Sequence, residues 1–111
     1  MSVLYVTHPR FADHDTGYGH PERPARLRAV DEGIDRAGLR EALIPVASVP
    51  APDEALEAVH PVAYRPALSN FSVTGGGYID GDTHLGIHSW EAASLAAGAG
   101  IEAVRRPDPR E

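Results

Sequence analysis

The stretch YIDGDTHLGIHSWEAASLAAGAGIEAV, which runs from Tyr78 to Val104, decides the fold of this chain. An acidic, glycine-bearing loop leads into a helix that is apolar on nearly every side. Such a helix needs contacts all round and belongs in the middle of a layered domain. Ser89 is predicted to cap it, with Glu91 favourable near its positive end. Only seven residues follow Val104, so the sequence predicts that this apolar surface lacks a full cover.

Upstream of this stretch, strands alternate with helices, and this order predicts a parallel α/β sheet. The predicted strands are Ser2 to Val6 and Leu43 to Val49, and the helix between them starts between Pro21 and Pro24 and stops near Gly38. The later predicted segments are a short helix capped by Asp53 and ending at Val59, further turns over Val62 to Leu68, and a long loop from Phe71 to His88. In the last helix, Gly98 and Gly100 lower helix propensity but permit close approach of another element.

Composition excludes several classes of function. The chain has 111 residues, a net charge of −6 and no clustering of its arginines, so it lacks the basic stripe of a nucleic-acid site. It has no cysteine, which excludes thiol nucleophiles, cysteine-ligated zinc and disulfides, and fits a cytoplasmic protein. The N-terminus lacks the features of a signal peptide, and the longest apolar run, Ala92 to Val104, is too short to span a bilayer. The sequence therefore predicts a soluble protein without a membrane partner.

Four motifs in a fixed order carry a family resemblance. They are HPERPAR (His20 to Arg26), VHPVAY (Val59 to Tyr64), DGDT (Asp80 to Thr83) and SWEAA (Ser89 to Ala93). In this order and spacing the chain resembles the histone deacetylase superfamily, and looks closest to the bacterial acetoin-utilisation and class II types. The resemblance extends over nearly the whole chain to about Val104.

The resemblance implies a partial three-layer arginase-like fold with a parallel sheet, and zinc-dependent hydrolysis of acetyl-lysine or another acetylated amine. In that family the metal lies on an Asp-x-His pair and a later aspartate, and a His-His pair supplies acid and base chemistry. All of these are expected downstream of the last helix. The resemblance therefore implies that residues 1–104 are the N-terminal part of a deacetylase domain, and that this chain alone binds no zinc and is inactive. The charged, proline-broken segment 105–111 is predicted to be a frayed tail.

The resemblance also assigns roles to six residues of this chain. Arg26 matches an arginine near the inner channel behind the active site, with His20 and Glu22 in the same segment. The rim loop of the substrate entrance is matched by Asp80, Asp82 and Thr83. Residues 85–88 depart from the Ser-Pro that usually precedes the SWEAA helix. The resemblance implies no catalytic residue and no metal ligand in this chain.

Other interpretations stay open at this point. From spacing alone, Arg26 is an ordinary arginine on a helix surface. Asp82-Thr83-His84 is formally an Asp-x-His, and with Asp80 and His88 it would make the chain an independent metal-binding protein. The chain could equally be a small non-catalytic α/β module that associates with another protein, or with itself, through the apolar helix from Trp90 to Val104.

Overall fold

Two parallel strands and the helix that connects them form the first half of the chain. The computed structural model describes residues 2–106. Strand β1 (Val3–Thr7) pairs in parallel with β2 (Leu43–Ala47), with Val6 opposite Val46. Parallel strands need a crossover connection, and α1 (Ala25–Arg36) lies within it. The predicted α/β class and the parallel pairing are confirmed.

Three helices and a small hairpin make up the second half. These elements are α2 (Asp53–Glu57), α3 (Tyr64–Val73), the antiparallel pair β3 (Gly77–Tyr78) and β4 (His84–Leu85), and α4 (Ser89–Arg105). The predicted long loop over 71–88 was wrong in part, because α3 continues to Val73 and the hairpin lies within the rest. Short helices depend on tertiary contacts more than on propensity, and Ser72, near the end of α3, is wholly buried.

The two predicted helix caps were each misplaced by one residue. Asp53 is the first residue of α2, which Pro52 precedes, and Ser89 is the first residue of α4, which His88 precedes. Neither helix has a capping hydrogen bond from the side chain of the preceding residue. The predicted tail over 105–111 is described only at its start, where Arg105 ends α4, and 107–111 lie outside the described residues.

One face of α4 packs closely on the segment that follows β2. The buried apolar residues of the described chain are Val46, Ala51, Ala92 and Leu95. Two hydrogen bonds join the segment to the helix backbone: Ser48 Oγ donates to the Leu95 carbonyl at 2.5 Å, and the Ala51 amide donates to the Ser94 carbonyl at 3.1 Å. Gly98 is also buried, and a Cβ there would overlap the Val49 carbonyl oxygen. The close approach predicted for Gly98 is confirmed, whereas around Gly100 the space is open.

The remaining apolar surface of the helices is exposed. Val104 of α4 is 86% exposed, and Leu27 and Val30 on the apolar face of α1 are 41% and 55% exposed. The described residues thus leave apolar faces of both helices without a cover. No helix among residues 2–106 combines the length and the apolar character needed to cross a membrane.

Candidate functional site

The exposed faces of α1 and α4, together with the hairpin, enclose a groove of about 780 Å³. Its lining is mostly apolar and includes Phe11, Leu27, Val30, Leu68, Leu85 and Trp90. A few polar side chains stand among them, chiefly His14, Glu22, Arg23 and Arg26. An apolar cleft with a few polar groups is the usual form of a small-molecule or peptide site. The groove is therefore the candidate functional site.

Two of the three residues assigned to the inner channel form an ion pair beside this groove. Arg26 Nη1 donates to Glu22 Oε2 one helical turn away, and both side chains are more than half exposed. Both residues also line the groove. Because the pair is exposed, it contributes little to stability. Its effect is to hold the guanidinium at the groove wall.

The third of these residues, His20, contacts the predicted rim instead. Its Nε2 lies 2.8 Å from the carbonyl oxygen of Asp82, and its Nδ1 accepts a hydrogen bond from the Glu22 amide at 3.0 Å. Because Nδ1 is the acceptor, Nε2 carries the proton and donates it to Asp82. Residues assigned to two separate places by the sequence are thus joined through one imidazole ring.

The rim residues form a tight turn between β3 and β4. The Asp80 carboxylate accepts a hydrogen bond from the Asp82 amide at 3.1 Å, and the Ile79 amide donates to the Thr83 carbonyl at 2.8 Å. The bond from the Asp82 amide holds the pKa of Asp80 below its ordinary value of 3.8, and the Thr83 side chain lowers it further. Thr83 lines the groove, together with Ile79.

Protonation of Asp80 should weaken this turn in acid. A carboxyl with a lowered folded pKa stabilises the folded form above the unfolded value of 3.8, and this contribution disappears as pH falls through the folded pKa. We expect the Asp82 amide resonance to titrate below pH 3.8 in an NMR series. In Asp80→Asn the neutral amide oxygen still accepts, so the turn should persist as it does with the protonated carboxyl, and the titration should vanish. A titration midpoint above 3.8 would contradict this account of the turn.

His14, which no sequence pattern singled out, joins the first loop to the start of α4. Its Nδ1 lies 2.7 Å from Ser89 Oγ, and that oxygen also accepts from the Gly86 amide at 2.7 Å. A histidine beside a serine is the geometry of an activated nucleophile. Here Ser89 is only 3% exposed and its oxygen is engaged on both sides. The pair therefore holds the loops together. Only a three-dimensional structure could bring residues 75 positions apart into contact.

The described residues do not fit a metal site. Catalytic zinc requires three protein ligands, and no three His, Asp or Glu side chains converge within residues 2–106. His84, one member of the Asp-x-His sequence, packs its ring against Tyr78 with 4.7 Å between centroids. Asp80 is occupied by the Asp82 amide. What this part of the chain offers chemically is a shaped binding wall.

Known proteins resemble this chain in both sequence and structure. A histone deacetylase-like amidohydrolase of Pseudomonas aeruginosa is 37% identical over 86 residues, which are 78% of this chain and 23% of that protein. An uncharacterized protein of Synechocystis is 30% identical over 114 residues, covering 94% of this chain and 34% of the other. The solved HDA15 HD domain superposes with a TM-score of 0.79 at 30% identity, over 88% of this chain and 29% of that one.

These relatives are much longer than the matched part. The chain spans between about a quarter and a third of the length of the proteins it matches. No protein-family model matches it. The likeness to the HDA15 HD domain shows that the α/β arrangement described above is part of the arginase/deacetylase fold.

Proposed function

We propose that this chain, which belongs to the histone deacetylase superfamily by sequence and by fold, forms the N-terminal substrate-binding wall of a zinc-dependent deacetylase domain. The intact domain would hydrolyse acetyl-lysine or another acetylated amine in the cytoplasm. The observation that carries the proposal is the groove, because it combines the matched motif residues Glu22, Arg26 and Thr83 in one wall. Apolar side chains outside the groove, among them Val104 of α4 and Val62 between α2 and α3, are also exposed. They support a larger domain of which residues 1–104 are one part.

The roles proposed for the groove residues are those of binding and orientation. The apolar lining would accommodate the methylene chain of an acetylated lysine. Contact with apolar side chains removes the apolar surface of that chain from water, which is favourable. Arg26, held by Glu22, would interact with a carboxylate such as the acetate product, because a guanidinium binds carboxylates through two parallel hydrogen bonds. Asp80, Asp82 and Thr83 would line the entrance. Zinc, which in this family activates the attacking water, does not fit the described residues.

A chimera tests the proposal directly. The segment of the Pseudomonas aeruginosa amidohydrolase that corresponds to residues 1–104 of this chain is replaced by those residues. We expect the chimera to bind zinc and to release acetate from an acetyl-lysine peptide, because the chain supplies the wall and the remainder supplies the metal centre. The 111-residue chain alone should show neither zinc binding nor turnover. Turnover is measured by acetate release and zinc by elemental analysis.

Two controls make the result interpretable. A chimera carrying Thr74→Ala should keep its activity, because the Thr74 hydroxyl bonds to the carbonyls of Asn70 and Phe71 within α3 itself. A chimera carrying Gly98→Ala should lose it through misfolding, because a Cβ would overlap the Val49 backbone. Zinc-dependent turnover by the isolated chain would contradict the proposed division of roles. A folded chimera without activity would contradict the proposed function itself.

The exposed apolar surface also favours a second candidate, the non-catalytic association module. Val104 is 86% exposed, and the groove leaves part of Trp90 accessible on the same helix. Large exposed apolar patches commonly mark interaction sites. A folded but inactive chimera, together with a monodisperse oligomer of the isolated chain in sedimentation velocity, would favour this candidate over the deacetylase proposal.

A further inference from the structure

His20 connects two parts of the chain that are 62 residues apart. Its Nδ1 accepts from the Glu22 amide at 3.0 Å, and its Nε2 donates to the Asp82 carbonyl at 2.8 Å. A single neutral tautomer makes both hydrogen bonds at once. One ring thus joins the segment that begins α1 to the turn between β3 and β4.

The turn has little else that orients it. Strands β3 and β4 have two residues each, and a short hairpin by itself is only marginally stable. The bonds between Ile79 and Thr83 and between Asp82 and Asp80 are local, so they shape the turn without anchoring it. Within residues 2–106, the bond from His20 is the hydrogen bond that connects 79–83 to a distant part of the chain.

The backbone before His20 sets the position of its ring. Gly17 and Gly19 have φ values of +92° and +82°, which are in the left-handed region that favours glycine. The His20 amide donates to the Gly17 carbonyl at 3.4 Å and closes this turn. The constrained backbone of residues 17–20 therefore fixes the direction in which the His20 side chain points toward the rim.

We propose that His20 is a positioning residue that holds the rim segment 79–83 against the start of α1 and so sets the shape of the groove entrance. Ile79 and Thr83 of this segment line the groove, as do Glu22 and Arg26 on the other side of the bond. A change in the distance between Asp82 and His20 therefore changes the width between two walls of the groove. The consequence for substrate binding rests on the proposed function, whereas the hold on the rim does not.

Amide hydrogen exchange of the full 111-residue chain, followed by NMR, tests the hold on the rim. His20→Ala should lower the protection of the Ile79 amide about fivefold, as expected for the loss of one hydrogen bond, while amides between β1 and β2 keep theirs. His20→Gln should restore protection, because the glutamine nitrogen can occupy the place of Nε2. His20→Asn, whose amide reaches only the position of Nδ1, should keep the bond to Glu22 and still lose the protection of the rim.

Several outcomes would overturn this proposal. Equal protection in His20→Ala and the unchanged chain would show that the rim is held by other contacts. A loss spread evenly over the β1 and β2 amides would show a general effect on stability. Rescue by His20→Asn would place the whole effect in the local bond to Glu22. As a matched histidine control, His60→Ala should leave the rim unchanged, because His60 packs on Tyr64 at 5.1 Å and lines a different cavity.

The chimera with the Pseudomonas aeruginosa relative supplies the functional measurement. His20→Ala should raise KM for the acetyl-lysine peptide about fivefold with kcat within twofold, as expected for a lost binding contact. His20→Gln should restore KM and His20→Asn should not. An unchanged KM in an active chimera overturns the role of His20 at the entrance. An inactive but folded parent chimera contradicts the proposed function. In that case the hydrogen-exchange measurement still tests whether His20 holds segment 79–83 in place.

Discussion

Gly98→Ala should destabilise this protein more than the addition of a single methyl group at any other position of α4. A Cβ at this position would overlap the carbonyl oxygen of Val49 and lie 2.8 Å from its carbon and 3.0 Å from the Ala51 nitrogen. These are backbone atoms, so no change of rotamer can relieve the overlap. The helix would have to move away from the segment after β2 and weaken the bond between Ala51 and Ser94.

The expected loss in the free energy of unfolding is about 3 kcal/mol or more, at the upper end of the cost of overpacking. A small domain has only about 5–15 kcal/mol in total. Urea denaturation followed by circular dichroism measures the change. The matched control is Gly100→Ala, two residues further on the same helix with nothing within 4 Å of its Cβ position. There the methyl group should stabilise the helix by up to about 1 kcal/mol. Equal effects of the two substitutions would contradict the packing described for α4.

Ser72→Ala should have the second largest effect, although it removes only one oxygen atom. Ser72 is wholly buried, and its hydroxyl donates to the Gly86 carbonyl at 2.7 Å. The same oxygen accepts from the Trp90 amide at 3.1 Å and thereby satisfies one of the free amides in the first turn of α4. The cap that the sequence assigned to Ser89 is thus partly supplied by a serine from α3. Alanine would leave the Trp90 amide without a partner, whereas the Gly86 carbonyl would keep the hydrogen bond that it accepts from the Ser89 amide at 3.1 Å.

An unsatisfied buried group costs about 1–3 kcal/mol, so we expect Ser72→Ala to lower the free energy of unfolding by about 2 kcal/mol in urea denaturation. Thr74→Ala is the control on the same segment, because the Thr74 hydroxyl is exposed and bonds to the Asn70 carbonyl within α3. Its effect should stay below about 0.5 kcal/mol, as for most surface substitutions. A loss below 1 kcal/mol in Ser72→Ala would show that water or a rearranged loop takes over both bonds.

The candidate site was predictable from the sequence only as separate pieces. The resemblance indicated His20, Glu22 and Arg26 as one group and Asp80, Asp82 and Thr83 as another. Their arrangement depends on a hydrogen bond between residues 62 positions apart, and no local pattern encodes such a pairing. His14 and Ser72 went unnoticed for the same reason, since an isolated polar residue in a loop or at a helix end carries no periodic signal.

The amino-acid sequence by itself determined the α/β class and the apolar helix from Ser89 onward, because hydrophobic periodicity is a local property. It also indicated Gly98 as a point of close backbone approach, because the absence of a Cβ is local too. Tertiary structure alone decided where α3 ends, which serine satisfies the first turn of α4, and how the rim meets the start of α1. The last two depend on one polar atom each, the Ser72 hydroxyl oxygen and His20 Nε2, which the packing of remote segments brings to its partner. Such partners are chosen by burial, since a buried polar group without a hydrogen bond is costly.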